Sequence, residues 1–263
     1  MVSQVETRSK SPQLKKFAVP INLMKKQIPN FLTCLNLFCG CIAAVMIFRN
    51  RLDISAYFVL LAAFFDLLDG MIARRVGSNP DFGKQIDSLA DMVTFGFVPG
   101  AILFKLLQMS DFSSAIADQN LRMIVQFLPF ILTVFSAIRL AKFNLDTRQS
   151  VSFIGLPTPA CTMIVISLPL ILIQYPGRFD DLILNHVFIL LLTGLLSYLL
   201  IAELPLFSLK FKKLDWKSNQ FQYILIILSA ILIAIFNLAA IPIIIILYVL
   251  LSLIKNLLTE KIN

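Results

Sequence analysis

"DLLDGMIARRVGSNPDFGKQIDSLAD", residues 66–91, sets Asp66, Asp69, Asp87 and Asp91, with Arg74 and Arg75, inside a chain that is otherwise mostly oil. Of the 263 residues, 58% are hydrophobic and only 14% charged, and a water-exposed surface needs more charge than that. Apolar runs of about 20 residues recur on both sides of the stretch, each long enough to cross a bilayer as a helix. The expected fold is all-α, a polytopic membrane helical bundle of about eight transmembrane helices. They are read at residues 29–48, 53–73, 84–108, 121–142, 156–174, 184–204, 221–238 and 240–257. Residues 28–263 make up this membrane domain, preceded by a basic segment, residues 1–27. Within that segment "LKKFAVPINLMKK", residues 14–26, reads either as an interfacial helix or as a disordered basic tail. No convincing small-residue cleavage site accompanies the late first apolar run, so a cleaved signal peptide is not expected.

The net charge of +8 is not a nucleic-acid signal, because the Lys and Arg residues sit between the apolar runs, where membrane topology explains them. With the N-terminus in the cytoplasm, 18 of the 23 Lys and Arg residues fall on the inner side. The positive-inside rule then predicts a multi-pass protein of the cytoplasmic membrane, with both termini and the acidic stretch facing the cytoplasm. Cys34, Cys39, Cys41 and Cys161 have no His beside them and read as small packing residues rather than a disulfide or zinc set. His186, the single histidine, stands at the start of an expected helix, far from the acids, and reads as structural.

Each charge in a membrane helix costs about 2.5–3.5 kcal/mol on insertion scales, so four carboxylates need compensation. Asp66 and Asp69, three apart, lie about 60° from one another on a helix. Asp87 and Asp91, four apart, lie about 40° from one another on the next. The breakers Gly77, Asn79 and Pro80 between the pairs allow an antiparallel hairpin, which turns all four acids into one gap near the membrane surface. Facing anions repel, and hard divalent cations are the usual remedy: Mg²⁺ or Mn²⁺, in a two-metal site with carboxylate, water and phosphate ligands. Two such ions suit phosphoryl transfer, since they clamp the attacking and leaving oxygens. Gly70, Ala73 and Gly83 remove bulk on or beside the carboxylate face, and Arg74 is placed to grip a phosphate with its fork of donors. A cation transporter is the alternative from another class. Transport sites lie near the midplane beside broken helices, whereas these acids cluster toward one surface with an Arg among them.

Asp66, two residues, Asp69-Gly70, two residues, Ala73-Arg74, eight residues, Gly83, three residues, Asp87, three residues, Asp91: the pattern resembles the signature of the CDP-alcohol phosphatidyltransferases at all eight fixed positions and every gap. The resemblance implies that Asp66, Asp69 and Asp87 hold one metal and Asp66, Asp87 and Asp91 a second, with Asp91 as the catalytic base. It implies that Gly70, Ala73 and Arg74 line the CDP-lipid site, joined by Asn30 and Thr33 from "IPNFLTCLNLFCG", residues 28–40, and that Gly83 serves close helix packing. That stretch, "DSLADMVTFGFVPG" (residues 87–100) and "AIRLAKFNLDTRQSVSFIGLPTPA" (residues 137–160) look like the phosphatidylserine synthase branch of the family. The substrates so implied are CDP-diacylglycerol, drawn from membrane lipid, and L-serine. A homodimer is a further family habit that the spans neither support nor oppose.

Serine is a small zwitterion, and Arg139 and Lys142, at the cytoplasmic end of the fourth expected span, are candidates for its carboxylate. Both read equally well as positive-inside residues. "GLPTP", residues 155–159, reads as a loop or a broken helix start near the same surface. Glycerol 3-phosphate, an inositol phosphate or choline remain alternative acceptors. A phosphorylated acceptor calls for a denser cluster of cations than Arg139, Lys142 and Arg148 supply.

Overall fold

The computed structural model describes residues 21–76, 80–145, 153–207 and 219–260. Most of the expected interfacial segment, the turn residues Gly77 and Asn79, and Arg148 lie outside the described residues.

The bundle opens with a long helical hairpin. α1 (Ile21–Phe48) ends where Asn50 takes a positive φ of 58°, a conformation Asn tolerates. There Arg51 N–H reaches the Met46 carbonyl at 2.9 Å and Asn50 N–H the Ile47 carbonyl at 3.0 Å, which closes the helix in a Schellman turn. α2 (Leu52–Val76) starts at once, with Asp53 in its first turn opposite the helix dipole. The two helices pack along their length. Ala43, Ala56, Val59 and Ala62 are fully buried, and such small side chains let membrane helices approach closely. Phe31, Phe38, Phe48, Phe64 and Leu67 face outward, as side chains in contact with lipid tails should.

α3 (Pro80–Asp91), a π-helical turn (Met92–Phe97) and α4 (Val98–Met109) follow one another as a single rod. Of its most apolar window 61% is buried, against 33% or less for the other long apolar stretches, so this rod is the axis of the bundle. A π turn frees backbone carbonyls that lipid cannot satisfy. Here Thr133 donates to the Gly96 carbonyl at 3.0 Å, and Thr162, 2.9 Å from both the Phe95 carbonyl and the Thr158 carbonyl of its own helix, shares its one hydroxyl proton between them. Thr94, on the turn itself, donates to the Asn36 carbonyl of α1 at 3.3 Å. A Cβ at Gly40 would strike the Thr94 hydroxyl, so glycine is what lets α1 lie against the turn.

Against the rod pack α5 (Phe112–Ala115), α6 (Gln119–Gln126), a 3₁₀ turn (Leu128–Phe130), α7 (Ile131–Leu145), α8 (Thr158–Gln174) and, beyond the short α9 (Asp180–Ile183), α10 (His186–Ile201); α11 (Gln220–Phe236) and α12 (Ala240–Glu260) form a pair whose α12 packs on α8. Five stretches among the described residues are long and apolar enough to cross a membrane. The last of them, Gln220–Leu257, would be about 57 Å long as one helix, nearly twice a hydrocarbon core. It breaks at Asn237 (φ 49°) into α11 and α12, which pack on each other as the two expected spans.

Two spans are shorter than expected. α8 begins only at Thr158, behind Pro157, and has 17 residues; α10 begins after its Asn185 cap, ends at Ile201 and has 16. The "GLPTP" segment resolves into a loop followed by a helix start. Gly155 (φ 76°) folds against the end of α10, where a Cβ would sit 2.8 Å from the Leu200 carbonyl. The N–H of Leu156 then pairs with the Leu199 carbonyl at 2.9 Å, capping α10 with the loop that opens α8. One feature departs from the all-helical expectation: β1 (Phe153–Ile154) pairs antiparallel with β2 (Pro205–Leu206). Tyr248 of α12 ties down the strand's exit by donating to the Phe207 carbonyl at 2.9 Å.

Candidate active site

Asp66 and Asp69 project from α2, Asp87 and Asp91 from α3. One carboxylate oxygen from each of Asp66, Asp69 and Asp87 lies within 4.8 Å of the other two, a spacing that suits a shared cation. Asp69 is buried and accepts a 2.5 Å hydrogen bond from Thr33 of α1. The Thr33 hydroxyl has one proton and a second acceptor, the Pro29 carbonyl at 3.1 Å; the closer, charged acceptor holds it better. The Oδ1 atom of Asp87 is buried with no hydrogen-bond partner among the described residues. A buried carboxylate oxygen left bare is costly, and a cation is what would satisfy it. Asp91 lies beside Asp66 and accepts a 3.3 Å hydrogen bond from the Asn36 side chain of α1.

Asp69 and Asp87 open into a cleft of about 320 Å³. That volume stands at the small end of ligand sites, which run from about 300 to 1,000 Å³. Its walls are Pro29, Asn30 and Thr33 from α1, Asp69, Gly70, Ala73 and Arg74 from α2, and Gly83, Lys84 and Asp87 from α3. Asn30, Thr33, Gly70, Ala73 and Arg74, named from the sequence for the CDP-lipid site, therefore surround one space. A Cβ at Gly70 would meet nothing within 4 Å, so the protein's own packing does not require glycine there; open space for a ligand remains. At Gly83 a Cβ would stand 3.5 Å from Asn30 Oδ1, an ordinary contact, and the residue faces the cleft as well as α1.

Arg139 of α7 is 7% exposed. It donates to the Thr158 hydroxyl at 3.4 Å, stands within electrostatic range of Asp91, and its Nε has no partner among the described residues. Lys142, one turn further on, is exposed. The structure thus gathers the four aspartates and brings Arg139 near them, while Lys142 stays outside the cluster. Cys39 and Cys161 are buried, Cys34 and Cys41 exposed, and all four are free thiols. His186 begins α10 with its ring 6.4 Å from that of Phe112.

Two residues make contacts in the site that were not foreseen. Lys84 lines the cleft and donates to the Asn144 carbonyl at 2.6 Å, while Asn144 donates to Ser88 at 2.6 Å, tying α3 to the end of α7. Its signal was its place one turn before Asp87. Asn36 was the other, and its signal was a polar stripe on α1: Asn30, Thr33, Asn36 and Gly40 recur at three, three and four residues.

A helical bundle that sets Asp66, Asp69 and Asp87 in one neighbourhood, beside a cleft lined by Arg74, has the groups to hold a cation and a phosphate-bearing ligand in an integral-membrane enzyme. The chain belongs to the CDP-alcohol phosphatidyltransferase family, whose model matches residues 26–208. It is similar to the CDP-diacylglycerol-serine O-phosphatidyltransferase of Helicobacter pylori, 29% identical over 218 residues, 81% of this chain and 84% of the relative. The enzyme of the same name from Bacillus subtilis is 29% identical over 141 residues, 54% of this chain and 74% of the relative. An archaetidylserine synthase of Methanothermobacter thermautotrophicus is 30% identical over 142 residues, 53% of this chain and 56% of the relative. Family membership leaves the cation-transport alternative without support.

Proposed function

We propose that the protein transfers the phosphatidyl group of CDP-diacylglycerol to the hydroxyl of L-serine, forming phosphatidylserine and CMP. The observation that carries this reading is the convergence of the aspartates of α2 and α3 on a cleft lined by Arg74, in a chain whose relatives are named for serine phosphatidyl transfer.

The donor set fits a hard divalent cation, Mg²⁺ or Mn²⁺: all-oxygen, strongly anionic, and with the Asp87 Oδ1 atom otherwise bare. Asp66, Asp69 and Asp87 would hold one ion, and Asp66, Asp87 and Asp91 a second. Bound there, the cations would supply neutralising charge to the pyrophosphate and to the departing phosphate.

The chain's own residues do the rest. Asn30, Thr33, Gly70 and Ala73 admit the cytidine headgroup, and Arg74 binds a pyrophosphate oxygen. Asp91 accepts the proton of the serine hydroxyl as its oxygen attacks the phosphorus that carries diacylglycerol. The bond from that phosphorus to the bridging oxygen breaks, and CMP leaves with the bonding electrons. Asn36, hydrogen-bonded to Asp91, holds the base in place. Arg139 meets the serine carboxylate. Positioning and charge neutralisation account for most of the rate in such transfers. The acidic stretch faces the cytoplasm of the cell membrane, where both serine and the Lys- and Arg-rich loops lie, and residues 28–263 work as one membrane unit.

The test is CMP release by purified protein with Mg²⁺ or Mn²⁺, CDP-diacylglycerol and a panel of alcohols. Release dependent on serine is expected. Release with glycerol 3-phosphate, an inositol phosphate or choline, and not with serine, overturns the acceptor.

A further inference from the structure

α12 is apolar along most of its length, yet Tyr248, Ser252, Lys255 and Asn256 fall at i, i+4, i+7 and i+8 and so share one face of it. A polar stripe on a helix at the edge of a membrane bundle needs protein partners, and the chain around β2 supplies them. Tyr248 donates to the Phe207 carbonyl at 2.9 Å, and Asn256 donates to the Pro205 carbonyl. The Tyr248 ring meets the Phe207 ring edge-on, centroids 5.1 Å apart, and the Lys255 ammonium stands 5.2 Å from the centre of the same Phe207 ring. Ser252, fully buried, turns its hydroxyl back on the Tyr248 carbonyl at 2.8 Å. A ladder of two residues on each strand has little stability of its own, so this grip is what fixes β2 in place.

What β2 holds leads to the site. It pairs with β1; beside it Gly155 N–H donates to the Leu204 carbonyl and Leu156 N–H to the Leu199 carbonyl, both at 2.9 Å. Two residues on, Pro157 opens α8, and Thr158, fully buried, accepts a hydrogen bond from Arg139. Among the described residues the Arg139 guanidinium has that hydroxyl at 3.4 Å and the Phe143 ring at 5.7 Å, with its Nε unpartnered, so the position of Thr158 decides where the charge is aimed.

Resting on the serine reading above, we infer that the α11–α12 pair is a brace for Arg139, and that Tyr248 is a positioning residue acting on it through β2, the Gly155 loop and Thr158. The brace lies beyond residue 208, where the family match ends, so it is an addition to the matched region rather than part of it. None of Tyr248, Gly155, Thr158 and Arg139 lines the cleft that holds Arg74. Loosening the brace therefore bears on the acceptor and spares CDP-diacylglycerol. The fold restricts the path: Gly155 sits at φ 76°, and a Cβ there would come within 3.0 Å of the Leu200 and Ala202 carbonyls, so the loop moves with β2 and the end of α10.

The experiment follows CMP release by the full chain while serine and CDP-diacylglycerol are varied in turn. Tyr248→Phe keeps the ring against Phe207 and deletes the hydroxyl. It should raise the KM for serine about threefold to tenfold and leave the KM for CDP-diacylglycerol within about twofold. Asn256→Ala, at the other carbonyl of the strand, should act in the same direction. Thr158→Val should reproduce the split, and adding Tyr248→Phe to it should change the serine KM by less than about twofold, because both substitutions act along one path. Tyr175→Phe, which removes the hydroxyl that joins α8 to the Phe236 carbonyl of α11 at 3.5 Å, should alter neither KM. A lower melting temperature in Tyr248→Phe with both KM values unchanged would make Tyr248 a structural tie only and overturn the inference. So would full additivity of Tyr248→Phe and Thr158→Val, or an equal rise in both KM values. Absence of serine-dependent CMP release from the unsubstituted protein would instead overturn the function itself.

Discussion

Gly70 separates two explanations for a glycine in a membrane helix. Where packing demands the missing side chain, as at Gly40, a Cβ collides with the Thr94 hydroxyl of the π turn. At Gly70 a Cβ meets nothing within 4 Å, yet the residue lines the cleft between Asp69 and Arg74. Gly70→Ala should therefore leave thermal stability unchanged or raise it by up to about 1 kcal/mol, the helix-propensity gain of alanine. Its KM for CDP-diacylglycerol should rise about tenfold or more, because a methyl group in the ligand's space misplaces the reacting phosphorus. Thermal unfolding and steady-state kinetics on one preparation check both halves. A destabilised variant with normal KM would return Gly70 to a packing role.

Among the elements, the π turn has the clearest consequence. It adds backbone between Asp91 and the mostly buried α4, and Thr162 and Thr133 donate to the Phe95 and Gly96 carbonyls on it. Thr162→Val keeps the shape and deletes the donor, so it should cost about 1 kcal/mol of stability and more where the carbonyl stays dry. It should also lower kcat with little change in the KM for CDP-diacylglycerol, since Asp91 is at the turn's mouth. Thr162→Ser should restore both. A kcat equal to that of the unsubstituted protein in Thr162→Val would disconnect the turn from the base. This device was hidden in the sequence because "MVTFGF" continues the apolar run of the third span, and hydropathy has no register. By contrast the spacings 66–69 and 87–91 carry their geometry openly: the two pairs do sit on adjoining helices, and three of the four carboxylates share a 4.8 Å neighbourhood. The two-residue ladder of β1 with β2 was beyond reading, since neither Phe153–Ile154 nor Pro205–Leu206 is long enough to show alternation. The shortness of α8 and α10 was half-visible in Pro157, Pro159 and Asn185, helix-start residues that an apolar window averages away.

At the scale of the molecule, the bundle has an inside-out economy. Phe and Ile side chains cover its outer face, while small residues, hydroxyls and acids collect along α1, α2 and the central rod. With lipid outside, apolar burial does little to hold helices together, so packing and buried hydrogen bonds carry that task. The aspartate array is the exception, a cluster of mutually repelling groups that the fold tolerates for the cations it would hold. Equilibrium binding of Mn²⁺ to the purified protein, followed by electron paramagnetic resonance, tests that claim most directly. The unsubstituted protein should bind Mn²⁺ saturably and more tightly once CDP-diacylglycerol is added, and Asp66→Asn and Asp87→Asn should each weaken binding about tenfold or more. Mn²⁺ affinity that is the same in these variants as in the unsubstituted protein would contradict the account.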